Sequence, residues 1–316
     1  MFTHQDAEVW SDVALILWAA GLQVTAAWTV ATETESSGIK QGNYVQGTVL
    51  LVLRKRNGEE RGDLADIFPE IQREVRDQLN SMQELDDKEE PNFGDADYQL
   101  AAYAAVLRVL TGYATVAEID VERELYRTRG RGERSPLAEL IEKAVKLASD
   151  YLVPDGLDAT VWRKLGPEER LYLKGVEVEA HGEYREGVYQ EFARGYGVRE
   201  YRSLLASGEA NATRLKTPSE FKNRDLEPGT RGLGGTLLRQ VLYAVYETGA
   251  EEEPAPARGR AYLRDVLTPQ GYWDNRQTVL QLLDYLARRP SPAMAHWRRD
   301  AETARLLHGF VQNDSV

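Results

Sequence analysis

Arg231-Gly232-Leu233-Gly234-Gly235-Thr236 has the composition of a loop whose backbone N–H groups could surround an anion at a helix N-terminus. Dinucleotide loops of that kind follow a strand. No strand pattern precedes this one, so a flexible turn into a helix is the competing reading. His181-Gly182-Glu183 matches the H-x-E of zinc deaminases, but that chemistry needs thiolates downstream, and the chain has no cysteine. The other histidines are His4, His296 and His308, and none pairs at the i, i+4 spacing of a zinc-binding helix. No metal site is expected. No Ser/His/Asp or paired-carboxylate arrangement stands out, so no catalytic residue is assigned.

The stretch "YQEFARGYGVREYRSLLAS" (residues 189–207) is more informative. Gly197 lies between two short amphipathic segments, which is the plan of a helix-turn-helix corner. The second segment would present Arg199 and Arg202 to bases or phosphates. The apolar positions Tyr201, Leu204 and Leu205 do not keep the usual spacing, so an ordinary helical corner is the alternative. From Phe192 to Gln240 there are nine basic and five acidic residues, inside a chain of net charge −12. A local reversal of that kind is what a phosphate-facing surface carries, and a solvated face with clustered charge is the competing account. The candidate DNA-binding residues are Arg194, Arg199, Arg202, Arg214, Lys216, Lys222 and Arg224.

These residues must be positioned by a chain of 316 residues that is 42% apolar and 28% charged, enough for one large or two ordinary cores. The negative charge argues against a protein that coats nucleic acid throughout. Absence of cysteine fits a reducing cytoplasm. No apolar run reaches the length of a membrane span, and Asp6 and Glu8 stand where a signal peptide would be basic.

The first segment reads as strand stub, helix, strand, strand. Trp10, Val13, Ala14 and Leu17 make a helical stripe that Gly21 ends. Leu22, Val24, Ala26, Trp28 and Val30 alternate onto one face of a strand. Thr48 to Leu53 is a continuous apolar run, as in a strand covered on both faces. "RNGEERGD" (56–63) is a boundary, and the period afterwards is helical almost everywhere. Ile67, Ile71, Val75, Leu79 and Met82 mark one helix face. Asp95 caps a helix carrying Tyr98, Ala102, Val106 and Leu110, and Ser135-Pro136 starts another. Further helices are expected from about Glu168, Glu186 and Arg199 and near Leu237, Tyr272 and Met294. Thr217-Pro218-Ser219-Glu220 reads as a capping box. The expected fold is α+β, mainly α, with domains at 1–58 and 59–316.

The stretches "FTHQDAEVWSDVALILWAAGLQVTAAWTVATETES", "GNYVQGTVLLVLRKR", "AAYAAVLRVLTGY", "ERLYLKGVEVEAHGEYREGVYQEFARGYGV" and "ANATRLKTPSEF" together resemble the C-terminal portion of a family of large adenine-specific DNA methylases. Those methylases carry a domain of unknown function and occur in prokaryotic anti-phage defence loci. The resemblance spans nearly the whole chain. It implies that residues 1–58 are the rear of a Rossmann-like methyltransferase sheet and the rest its helical extension. It also implies DNA as a partner, in a restriction-modification setting. The family's Gly-rich S-adenosylmethionine turn and Pro-Pro loop are absent: the chain contains no Pro-Pro pair. The cofactor and the catalytic residues are therefore expected in an upstream methyltransferase half, from which this chain would be split or truncated. The alternative is a non-catalytic helical module that docks other defence proteins.

Overall fold

A computed structural model describes residues 1–4, 6–31, 47–85, 93–128, 130, 133–207, 212–221, 233–288, 290–291 and 294–314. The chain is mainly helical, and its packing divides it into two compact units, Met1–Leu152 and Val153–Val316.

In the first unit, α1 (Ala7–Ala19) starts at Asp6, whose carboxylate accepts the Glu8 N–H at 2.9 Å. It ends before Gly21, which takes φ 67°, where a Cβ would be strained. β1 (Leu22–Ala31) and β2 (Gly47–Lys55) form an antiparallel pair with a bulge between Val24 and Ala26. The bulge resets the alternation. Val24 and Ala27 are buried, whereas Trp28 is 54% and Val30 42% exposed, so Leu22 to Val30 do not share one face. The apolar run in β2 is not covered on both faces either: Val49 is buried and Leu53 is 41% exposed. The main chain of Phe2 exchanges both hydrogen bonds with Val49, at 2.8 and 3.0 Å. Phe2 thus lies on the side of β2 opposite β1, and its ring stacks edge-on against Trp10.

A two-residue parallel pair, β3 (Arg61–Gly62) with β4 (Thr115–Val116), flanks the helices. α2 (Leu64–Leu85) buries Ile67, Ile71, Val75, Leu79 and Met82, the stripe its spacing predicts. α3 (Asp95–Leu110) is buried nearly all round. Ala101, Ala102, Ala104 and Ala105 keep it thin enough to be surrounded. Gly94 is its cap residue, not Asp95; the Asp97 carboxylate takes the N–H groups of Gly94 and Gly47. α4 (Val121–Tyr126) and α5 (Pro136–Ala148) complete the unit, and Ser135 caps α5 as expected. The division falls at Leu152/Val153 and not at 58, because two strands alone bury no core. Val24, Ala27 and Val49 need α1 and α3 to cover them.

The second unit contains α6 (Ala159–Lys164), α7 (Pro167–Ala180), α8 (Glu186–Tyr196), the short antiparallel pair β5 (Leu205–Ser207) and β6 (Arg214–Leu215), then α9 (Leu237–Thr248), α10 (Pro256–Val266), α11 (Pro269–Arg288) and α12 (Arg298–Gln312). Its core holds Trp162, Tyr172, Tyr189, Tyr272 and Trp297, all fully buried. Gly259 lets α10 lie directly on α9: a Cβ there would meet the Ala244 carbonyl oxygen and the Thr248 hydroxyl. Among the described residues no helix is long and apolar enough to cross a membrane.

Candidate nucleic-acid interface

The corner at 189–207 begins as its sequence suggests. α8 turns Val188, Tyr189, Phe192, Ala193 and Tyr196 inward. Gly197 adopts φ 72°, and the Val198 N–H reaches back to the Ala193 carbonyl at 2.7 Å, closing the helix as a left-handed glycine cap does. The expected second helix from Arg199 does not form. Val198, Tyr201 and Leu204 are buried at intervals of three, a spacing that suits a 3₁₀ turn, where i and i+3 eclipse. Arg202–Leu204 is that turn, and β5 follows at once. The corner is therefore helix, turn, strand, and it has no recognition helix.

The seven candidate cations separate into four groups. Arg194 and Arg199 are exposed and make no ion pair among the described residues. Arg194 also sits in the last turn of α8, where a cation complements the helix dipole. Arg202 and Arg214 are neutralised within the chain. Arg202 Nη2 lies 3.0 Å from Glu186 Oε1, while both Arg214 Nη atoms donate to Glu220 at 2.6 Å. The Arg214 fork draws the Glu220 carboxyl below its ordinary range, against the opposing effect of burial. Lys216 donates to the Ser203 carbonyl at 2.8 Å and lies over the Phe221 ring. Lys222 and Arg224 fall outside the described residues. The spacing of Glu186 and Glu220 gives no sign of these ion pairs, since both partners meet across non-helical backbone.

The capping box at Thr217 forms, with the Thr217 N–H donating to Glu220 Oε2 at 3.0 Å, but it opens only the 3₁₀ turn Pro218–Glu220. Of the glycine-rich stretch, Arg231 and Gly232 lie outside the described residues, and Leu233 to Gly235 form a turn. Thr236 then caps α9 by accepting the Arg239 N–H, and Glu169 Oε1 accepts the Leu238 N–H at 2.9 Å. Two of the N–H groups a phosphate would use at this helix start, those of Leu238 and Arg239, are held by the chain's own side chains. In the H-x-E stretch, the Glu183 carboxylate is held by the guanidinium of Arg185 through two bonds of 2.6 Å.

Among the described residues the arrangement offers Arg194, in the last turn of α8, and Arg199, just past it, for weak phosphate contact. The described residues form no built anion pocket there. No protein-family model, no curated protein and no solved structure matches the chain.

Proposed function

We propose that this chain is the DNA-recognition and structural part of an adenine-specific DNA methyltransferase of the anti-phage type, with S-adenosylmethionine and the base-handling residues supplied by another half. One observation carries the reading. The Phe2 segment and β1 are both antiparallel to β2, hence parallel to each other, and α1 connects them. A helical crossover between parallel strands, with an antiparallel strand inserted between them, is the connection expected at the rear of a methyltransferase sheet. DNA contact in this reading falls to Arg194 and Arg199, with Lys216, Lys222 and Arg224 as further candidates.

A mobility-shift series on duplex DNA at low salt tests it. The chain should retain DNA weakly, with a log–log salt slope of about −0.9 per neutralised phosphate. Arg194→Glu with Arg199→Glu should abolish retention. Arg202→Glu with Arg214→Glu should have less effect on it, since those charges are already compensated. Equal retention by the wild type and the Arg194/Arg199 double variant removes DNA recognition. The second reading, a helical module that docks other defence proteins, is favoured by the internal neutralisation of Arg202 and Arg214. It predicts no DNA retention by any of these variants or by the wild type.

A further inference from the structure

Three arginines converge on Asp314 in the second unit. Arg260 Nη1, on α10, donates to Asp314 Oδ1 at 3.0 Å, and Arg264 Nη2, one turn further along, lies 3.1 Å from Oδ2. From α11 the Tyr272 hydroxyl donates to Oδ2 at 2.6 Å, and Arg276 Nη2 reaches the Asp314 carbonyl. Burial, and then the bond to Asp314, pushes the Tyr272 phenol up to about 12, so it stays a donor at neutral pH. Rings back the cations: Arg264 lies over Tyr272 and Trp273, Arg276 over Trp273, and Arg260 beside Phe310. The Asp314 side chain is 4% exposed, while Arg260 and Arg264 are 35% and 41% exposed, so solvent reaches this cradle. Two features exceed what one carboxylate uses. The Nε atoms of Arg260 and Arg264 are both buried with no hydrogen-bond partner among the described residues, although a guanidinium matches an anion best through two parallel bonds. Leu267 and Thr268 alone join α10 to α11, and Thr268 takes φ 62°, the one positive φ outside glycine among the described residues. A β-branched residue is strained there, and that link is what sets Arg264 beside Tyr272.

We infer that Arg260, Arg264 and Tyr272 form a binding site for a phosphate monoester, which the Asp314 carboxylate occupies in its place. A phosphoryl group brings three terminal oxygens and close to two negative charges, enough to engage both guanidinium groups through more than one nitrogen each and to accept the Tyr272 hydroxyl. A carboxylate has two oxygens and one charge, and leaves the Nε atoms unused. Asp265 and Asp274, the acids nearest in sequence, make no ion pair with these arginines among the described residues, so the charge of the cradle is not spent elsewhere. Release of the Asp314 side chain does not unwind α12, because Arg276 holds the Val311 and Gln312 carbonyls at 3.1 and 2.7 Å. Phe310 is 44% exposed beside Arg260 and offers a flat apolar face to the body that carries the phosphate. The ligand is therefore a phosphate monoester with a planar ring. None of these residues belongs to the candidate DNA surface, so the inference stands or falls apart from the DNA reading.

Calorimetric titration of the full chain with phenyl phosphate tests it, at constant ionic strength and near pH 8, where the ester is a dianion because its second pKa is about 6. The wild type should bind with Kd of about 1 mM or weaker, since Asp314 competes. Asp314→Asn, which keeps an acceptor for Tyr272, should bind at least about tenfold tighter, and adding Arg264→Gln should remove that gain. Methyl phenyl phosphate, a diester with one charge, should bind Asp314→Asn about fivefold more weakly than the monoester. Inorganic phosphate should bind about threefold more weakly than phenyl phosphate, a difference that Phe310→Ala should erase. Adenosine monophosphate and blocked phosphotyrosine, compared on the same variant, assign the ester to a nucleotide or to a phosphorylated side chain, and binding of neither overturns the inference. In the wild type, saturating phenyl phosphate should speed amide exchange at Asp314 and leave Val311, inside α12, protected; this readout needs no variant to fold. Asp314→Asn binding no tighter than the wild type, no loss with Arg264→Gln, or unchanged exchange at Asp314 overturns the inference. So does a diester that binds as well as the monoester, which assigns the cradle to a nucleic-acid backbone.

Discussion

The two units solve the same packing problem with different proportions of the same materials. In Met1–Leu152 the core is built from helices whose apolar residues recur at three and four, above all the Ile67 to Met82 stripe and the alanine-rich α3. Its fully buried polar groups are the Ser11 and Ser135 hydroxyls, 2.7 Å apart, among other short ones, and one carboxylate, Asp97, which ties α3 to β2. In Val153–Val316 the core is threaded by buried carboxylates. Glu169 takes the N–H groups of Gly166 and Leu238, Glu179 takes the Leu215 N–H and the Tyr189 hydroxyl, and Asp300 takes the N–H and hydroxyl of Ser219. Each carboxylate ties a helix to a turn, short strand or helix start that has no apolar period of its own to fix it. The difference teaches that a helix can be held by area alone, whereas a two-residue strand such as β6 needs a directional bond.

Truncation of the most buried of these carboxylates should cost most. Glu179→Ala leaves the Leu215 N–H and the Tyr189 hydroxyl without partners and opens a cavity, for a loss of about 4 kcal/mol in the second unit. Glu179→Gln keeps an acceptor and should cost far less. Regional hydrogen exchange during denaturant unfolding would read both, and equal costs for the two variants would break the contrast between the units.

In the first unit Ile71→Ala, at a position of 0% exposure, should cost about 3 kcal/mol and act on residues 1–152 alone. Gly259→Ala forces α10 off the Ala244 carbonyl, and an overpacking cost of about 2 kcal/mol is expected in calorimetric melting. Ser135→Ala removes the cap bond of α5 and the buried partner of the Ser11 hydroxyl, for about 2 kcal/mol.

The pH response is the finest test. Burial raises the proton affinity of the Glu169 and Asp300 carboxyls, so their ionised forms oppose folding at neutral pH. That cost is relieved as pH falls through their raised values. Glu220 is lowered, first by Arg214, so its contribution is present above the ordinary carboxylate value and is lost as pH falls through its own. Stability of the second unit should therefore rise from pH 7 into mild acid and then fall. Asp300→Asn should flatten the rise, and a monotonic fall from neutral pH in the wild type would contradict the assignment.

What the residues determined by themselves was the periodic part. The stripe of α2, the start of α5 at Ser135-Pro136, the end of α1 at Gly21 and the end of α8 at Gly197 follow from local spacing and local backbone strain, which need no distant partner. The candidate site was legible only as a list of cations. Which of them stay free was decided by Glu186 and Glu220, brought in by the fold and not by their spacing. The bulge at Val24/Ala26 likewise turned Trp28 outward, although a simple alternation places it with Val24. The second helix after Gly197 yielded to a 3₁₀ turn because burial of Tyr201 and Leu204 outweighed a weak local helical preference. Tertiary contacts won at each of these places for one reason: a short segment gains little from its own hydrogen bonds, so the neighbour that buries or pairs it sets its conformation.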